Sequence, residues 1–447
     1  TENYILMQDL DFINEGSSIL ITTTYSGKIN GNNKTIKNII VPGNYKGLFS
    51  TLSGTIENLF IENYTHSEIS SNSDNGFIGT ASSNAKIDNV HIKGMEMTAI
   101  KNNSTLYVGG LIGNATNTTI SNSSVSDIKF SIEDKSVSLA FGGILGYGTF
   151  INVSNCFVQD IDFNAIDVYQ ITGIGGLVGR ETNAYSTVIN CYTTGTLYTN
   201  NGYSMGGIIG YTNGAMTIDK CYSTVNISGT SNSSIAGIRG YGTGTNTTQH
   251  CLYLGDMYSY NINPTTRRIV GTVNSSYTNN YAYQDQLING YSTTELGGAD
   301  KLLSYDEIFY KSTYIDLLKF ENIYDYSGLE NGILPKLYYG DGSQLLPNQK
   351  DTTIQRSQDR TFEIEPIDYK TQVNKTPNDA TIQLIISNPS EAQITGVEIE
   401  SMNITRQVIS TRNQKTIINL DLKPEKYYDT YKITKIKYIE GEEEKEY

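Results

Sequence analysis

Four cysteines, Cys156, Cys191, Cys221 and Cys251, recur at roughly 30-residue intervals, and their chemistry depends on what that spacing means. If each sits at one position of successive coils, the four together span about 14 Å, because neighbouring strands lie about 4.8 Å apart. Zn–S bonds are about 2.3 Å, so one zinc ion cannot collect all four. Adjacent pairs fall inside the Cα range of a disulfide, although parallel side-chain directions make the bridge awkward. The other reading is a stack of buried thiols. The histidines, His66, His91 and His250, form no His-Glu-x-x-His motif and no close pair, so no hydrolytic zinc site is expected. His250, with no base partner in sequence, reads as structural. Gly340-Asp341-Gly342-Ser343 reads as a turn rather than a serine nucleophile.

Carboxylates offer a second chemistry. Glu57 and Asp88 share one repeat position, as do Asp127 and Asp160, with Asp162 close by. Stacked on adjacent coils, such pairs approach the separation of about 5–5.5 Å used by retaining glycosidases. Lys86 and Lys129 nearby favour ordinary solvated charge. The tyrosines offer binding. Tyr147, Tyr211 and Tyr241 each follow a glycine that closes a repeat, and Tyr192 and Tyr222 each follow a cysteine, in step with Phe157. Such a row either stabilises the stack or binds a glycan or peptide strand.

The element that positions all of these is a repeat. Gly110-Leu111-Ile112-Gly113 has counterparts at Gly76-Phe77-Ile78-Gly79, Gly143-Ile144-Leu145-Gly146, Gly176-Leu177-Val178-Gly179, Gly207-Ile208-Ile209-Gly210 and Gly237-Ile238-Arg239-Gly240. A second anchor keeps step: Ile56-Glu57-Asn58-Leu59, Ile87-Asp88-Asn89-Val90, Ile120-Ser121-Asn122-Ser123, Val153-Ser154-Asn155-Cys156, Val188-Ile189-Asn190-Cys191 and Ile218-Asp219-Lys220-Cys221. A period of roughly 29–34 residues signals a solenoid. Alternating stretches such as Val125-Ser126-Asp127-Ile128-Lys129-Phe130 mark half-buried strands. The expected coil therefore has three short strands: the glycine-bounded aliphatic pair, the Ile-x-Asn-Cys piece and the alternating piece. Because Arg239 stands where other coils carry an aliphatic residue, the first residue of the pair, Ile238 and its equivalents, is expected to face inward.

The fold class expected is all-β: a parallel β-helix over residues 1–290 with an N-terminal cap, then a C-terminal cap with short helices over 291–347. A capping box at Ser304-Tyr305-Asp306-Glu307 starts the helical part. Residues 348–360 read as a linker and 361–447 as a β-sandwich, fibronectin III- or immunoglobulin-like. Its expected features are a strand at Thr361-Phe362-Glu363-Ile364 and a tyrosine corner made by Leu422 and Tyr428. Composition agrees, since only 38% of the 447 residues are hydrophobic, which suits coils that bury a narrow stripe. A net charge of −14 argues against nucleic acid as partner. No apolar run is long enough to span a membrane. The two ends suggest a fragment of a longer polypeptide.

Gly176-Leu177-Val178-Gly179 through Asn190-Cys191-Tyr192 resembles the GLUG repeat of bacterial surface proteins. The lead-in, Tyr4 to Phe12, Gly27 to Ile36 and Gly47-Leu48-Phe49 through Leu59, resembles the N-terminal region of the Gram-positive IgA1-protease family of zinc metallopeptidases. That resemblance implies a non-catalytic β-helix and β-sandwich upstream of a zinc domain, in a secreted or cell-wall-attached bacterial protein whose partner is a host glycoprotein such as immunoglobulin A1. Zinc would belong to the parent's catalytic domain, and this chain would need no cofactor. No catalytic residue carries over, because His-Glu-x-x-His is missing. Tyr147, Tyr211, Tyr241, Tyr192 and Tyr222 are the expected contact residues. An adhesin or glycan-binding rod and a polysaccharide-cleaving β-helix enzyme are the other readings.

Overall fold

One coil, residues 105–133, shows how the repeat works. Thr105–Gly109 is a strand, the chain bends at Gly110-Leu111, Ile112–Ser121 runs along a second wall, and Ser124–Glu133 forms a third after a turn at Asn122-Ser123. Each strand pairs in parallel with its successor: Thr105–Gly109 with Ser138–Gly142, Ile112–Ser121 with Leu145–Ser154, and Ser124–Glu133 with Phe157–Ile166. Repeated along the chain, this gives, among the described residues, a seven-stranded sheet for one wall and a 27-stranded sheet for the other two. The protein is a parallel β-solenoid of about seven turns. This computed structural model describes residues 2–13, 20–69, 73–100, 105–133, 138–166, 168–182, 185–200, 204–229, 234–259, 265–271, 276–284, 286, 288–289, 299–354, 380–387, 393–399, 402–412, 415–424, 433–440 and 443–446.

The two sequence anchors are the two corners. The Asn of the second anchor adopts the left-handed conformation in coil after coil: Asn58, Asn89, Asn122, Asn155 and Asn190 all have φ between 48° and 56°. Asparagine tolerates that region far better than most residues. Its amide then bonds the neighbouring coil, as from Asn89 Nδ2 to Asn58 Oδ1 at 2.8 Å and from Asn190 Nδ2 to Asn155 Oδ1 at 3.1 Å. The glycines of the first anchor answer to close approach. A Cβ on Gly110 would lie 2.2 Å from the Gly143 carbonyl oxygen, and one on Gly143 would lie 2.5 Å from Val158 Cγ1.

The aliphatic pair proves to be a corner rather than a strand. Leu111 lies in the bend and Ile112 begins the next strand, while the seven-stranded wall is built from residues just before the pair. At the bend the two-residue alternation is interrupted, so both members point inward. Ile238 and Arg239 are both fully buried, and the expectation of an outward Arg239 is thereby corrected. The core is a set of stacked columns such as Ile87, Ile120, Val153, Val188 and Ile218, all fully buried. Each such side chain contributes about 1.5–3 kcal/mol.

Beyond the coils, Ser304 caps a short helix, Tyr305–Ile308, with both reciprocal bonds of the capping box present. A π-helical turn, Thr313–Leu317, and 3-10 turns at Glu321–Ile323 and Leu329–Asn331 follow. Tyr324–Asp325 then pairs antiparallel with Lys336–Leu337. This region packs along the third wall, where Tyr281, Leu303, Ile308, Tyr314, Phe320, Tyr324 and Leu337 join Phe157, Tyr192, Tyr222 and Leu252 in a second hydrophobic cluster. Residues 348–354, expected as linker, instead belong to this docked segment: Lys350 N–H donates to Gln159 Oε1 at 2.9 Å and Gln159 Nε2 donates back to the Lys350 carbonyl at 2.9 Å.

The chain divides into two compact units, residues 1–354 and 355–447. The second contains two antiparallel three-stranded sheets. Ala380–Ser387, Met402–Arg412 and Lys415–Pro424 form one, and Gln393–Ile399, Ile433–Glu440 and Glu443–Glu446 the other, with Ile394, Val397, Ile418 and Ile436 buried. The expected strand at Thr361-Phe362-Glu363-Ile364 and Tyr428 of the expected tyrosine corner lie outside the described residues. Among the described residues no helix is long and apolar enough to cross a membrane.

Candidate functional site

The cysteine column is interior. Cys156, Cys191, Cys221 and Cys251 are unbridged and fully buried, each donating to the carbonyl two residues earlier, as from Cys191 Sγ to Ile189 O at 3.2 Å. Burial pushes the Cys191, Cys221 and Cys251 thiols well above their ordinary range, which keeps them from forming the reactive thiolate.

The histidines each have their own separate partners, although the buried Nδ1 of His66 has none among the described residues. His66 Nε2 meets the Tyr45 carbonyl at 2.9 Å, His91 lies between Ser124 Oγ (2.8 Å) and Asn89 Oδ1 (2.7 Å), and His250 Nδ1 lies 2.8 Å from Asp219 Oδ1. Burial lowers His66 to about 4 and His91 to about 3. His250 occupies the left-handed corner slot that asparagine fills elsewhere, with φ 50°. These residues do not converge on one point. Among the described residues no group of three or more His, Cys, Asp or Glu is placed to hold a metal.

The paired carboxylates do stack. Glu57 and Asp88 are register partners, and Asp127 and Asp160 lie on successive coils. Each is already engaged. Glu57 pairs with Lys28 at 2.7 Å, and Asp127 and Asp160 are clamped together by the Lys350 ammonium. Burial opposes ionisation of Asp88, but hydrogen bonds from Ser121 and Asn122 together with Lys86 outweigh it and hold the carboxyl below its ordinary range. A general acid needs the opposite shift.

The five tyrosines divide into two sets. Tyr192 and Tyr222 stack on Phe157 in a column, with centroids 5.1 Å and 4.8 Å apart and rings nearly parallel, but the C-terminal segment covers them. Both are 1% exposed, and their hydroxyls donate to Gln349 Oε1 at 3.0 Å and to the Pro335 carbonyl at 2.6 Å. They form an internal seam. Local sequence carries no sign of this, since the covering residues, such as Phe320, Pro335 and Gln349, lie about a hundred positions or more away.

Tyr147, Tyr211 and Tyr241 stand on the outer surface of the second wall, half-buried, in one column. The register runs Asn114, Tyr147, Arg180, Tyr211, Tyr241. Two further residues complete it. Tyr107, from the neighbouring wall, stacks on Tyr147 at 4.6 Å, and the Arg180 guanidinium lies over the Tyr211 ring at 4.9 Å. Tyr211 and Tyr241 stack at 5.6 Å, and the Tyr147 hydroxyl meets Thr182 Oγ1 at 2.5 Å. Arg180 was legible in principle, because it follows Gly179 as Tyr147 follows Gly146. Burial raises the Tyr107 hydroxyl, Tyr147 adds to the rise, and Arg180 counters it. Ring faces are largely spent on one another, so the row offers hydroxyls, ring edges and guanidinium N–H groups to a ligand.

A polar group also lies inside the rod. Glu181 is fully buried, accepts from Ser186 Oγ at 2.9 Å, and is raised by burial to about 7. Two coils on, the buried Arg239 has Nε, Nη1 and Nη2 all without a hydrogen-bond partner among the described residues, near Thr212 and Asn246 across the space that Gly242 leaves open.

The sequence comparison agrees with the repeat. The GLUG motif matches residues 104–131, which is one coil, and the chain carries that motif. No curated protein matches the sequence. Among solved structures, the fold is similar to a protein from Bacteroides ovatus provisionally assigned as an immunoglobulin A1 protease, at 16% identity and a TM-score of 0.37 over 78% of this chain and 86% of that one. It is also similar to a structure described as IgA1 protease, at 15% identity and a TM-score of 0.38 over 74% of this chain and 26% of that one.

Proposed function

We propose that this chain is a non-catalytic recognition region, exported to the cell exterior, that holds a host glycoprotein such as immunoglobulin A1 along the tyrosine column. The parent would be a zinc metallopeptidase whose zinc lies in another domain. The observation that carries this reading is the outward row of Tyr147, Arg180, Tyr211 and Tyr241, fixed at one residue per coil by the parallel ladder, with Tyr107 of the neighbouring wall stacked on Tyr147. A rigid row of this kind makes weak contacts simultaneously, which raises the effective concentration of a tethered substrate at a distant active site.

The test is binding of the purified 447-residue chain to immobilised immunoglobulin A1 and to its Fc and Fab fragments, with a deglycosylated control. Saturable binding to one fragment, weakened at least tenfold by Tyr211→Ala with Tyr241→Ala, is the expected result. Binding that the double substitution leaves unchanged would move the contact surface elsewhere.

A further inference from the structure

Within that column Arg180 breaks the pattern. It takes the slot that tyrosine fills in the coil before it and the two after it. Several lysines on the rod have carboxylate partners: Lys28 with Glu57, Lys37 with Glu62, Lys46 with Asp74, Lys86 with Asp88, and Lys350 with Asp127 and Asp160. Arg180 has no ion pair or hydrogen bond to another described residue, and its Nε is buried without an acceptor. Arg239 also has no carboxylate partner among the described residues, but it lies inside the rod, whereas Arg180 stands on the outer wall where a ligand can reach it.

Stacking explains how it is held. The guanidinium rests on Tyr211, a contact that fixes its orientation without consuming its N–H groups. A planar fork so fixed matches a carboxylate in two parallel hydrogen bonds. The neighbours on either side are phenol hydroxyls one coil away, with Thr182 bonded to that of Tyr147. The coil spacing, about 4.8 Å, is close to the length of one sugar ring. Outward hydroxyls suit a partner dense in hydroxyls of its own. The negative net charge repels anions in general, so an anion held here must be held by this site.

We propose that Arg180, with the flanking Tyr147 and Tyr211 hydroxyls, forms a subsite for a carboxylated sugar, a sialic acid or uronic acid residue at the tip or within the chain of a glycan. The subsite rests on the recognition reading above and names its ligand class. The carboxylate takes the guanidinium fork, and the hydroxyls of the same or the adjoining sugar take the phenols.

The experiment is calorimetric titration of the whole chain with 3′-sialyllactose, a glucuronate-containing oligosaccharide, lactose and a short Glu-rich peptide. It is repeated with Arg180→Gln and Arg180→Lys, whose melting temperatures are checked against the parent. An acidic sugar should bind at least about tenfold more tightly than lactose, as one charge-assisted pair implies. Arg180→Gln should reduce it to the lactose level, and Arg180→Lys should fall between. Equal affinity for lactose and the acidic sugars, or a preference that Arg180→Gln leaves intact, overturns the subsite while the recognition reading survives. Preference for the peptide overturns the sugar assignment. No binding of any saccharide, together with no binding of immunoglobulin A1, overturns both.

Discussion

Arg239 and Glu181 show how one substitution inside a coil changes the energetics of the rod. A buried guanidinium without hydrogen-bond partners loses its hydration and recovers little. Arg239→Met, of similar reach and apolar, should therefore raise stability, by about 1–4 kcal/mol as in other replacements of buried charge. Urea denaturation of the two proteins measures this, and a fall in midpoint would mean that the guanidinium has partners in solution. Glu181 makes stability depend on pH. Its folded value, raised by burial to about 7, lies above its unfolded value near 4.5, so the folded state holds the proton more tightly. The contribution is complete below about 4.5 and is lost as pH rises through 7. Thermal melts of Glu181→Gln between pH 5 and 8 should show a weaker fall than the parent. His66 and His91 act at the other end. Burial keeps them neutral in the fold, so the stability they contribute is present above about 6.5 and lost as pH falls toward 4 and 3.

At the scale of elements, the C-terminal segment is the part that most depends on partners remote in sequence. Its hydrophobic cluster with Phe157, Tyr192 and Tyr222 covers an aromatic stack that would otherwise face water. Tyr222→Ala removes a fully enclosed ring and its bond to Pro335, and should cost about 3–5 kcal/mol. Lys350→Ala removes a surface clamp on Asp127 and Asp160, and should cost under about 1 kcal/mol. Chemical denaturation of both variants distinguishes a packed seam from a loosely resting tail. The same segment marks the limit of sequence reading. The corners were legible because each needs a rare residue type: asparagine for the left-handed turn and glycine for close contact between coils. The capping box at Ser304 was legible for the same reason. The cover over Tyr192 and Tyr222 was not, since it joins residues far apart and leaves no periodic trace. Arg239 misled because the strand alternation stops at a corner, where consecutive side chains can both turn inward.

For the molecule as a whole, stacking does the work that a single large core does elsewhere. Every coil contributes one thin layer, and each layer is stable only against its neighbours. The outward column inherits this rigidity, with Tyr147, Arg180, Tyr211 and Tyr241 on four successive strands of one wall. The measurement that bears most directly on the account is the affinity of the intact chain for immunoglobulin A1, compared with that of the Tyr211→Ala, Tyr241→Ala double variant under conditions where both melt at the same temperature. The account predicts saturable binding by the parent and at least a tenfold loss in the variant. Equal binding by the two, or none by the parent at tens of micromolar, would contradict it.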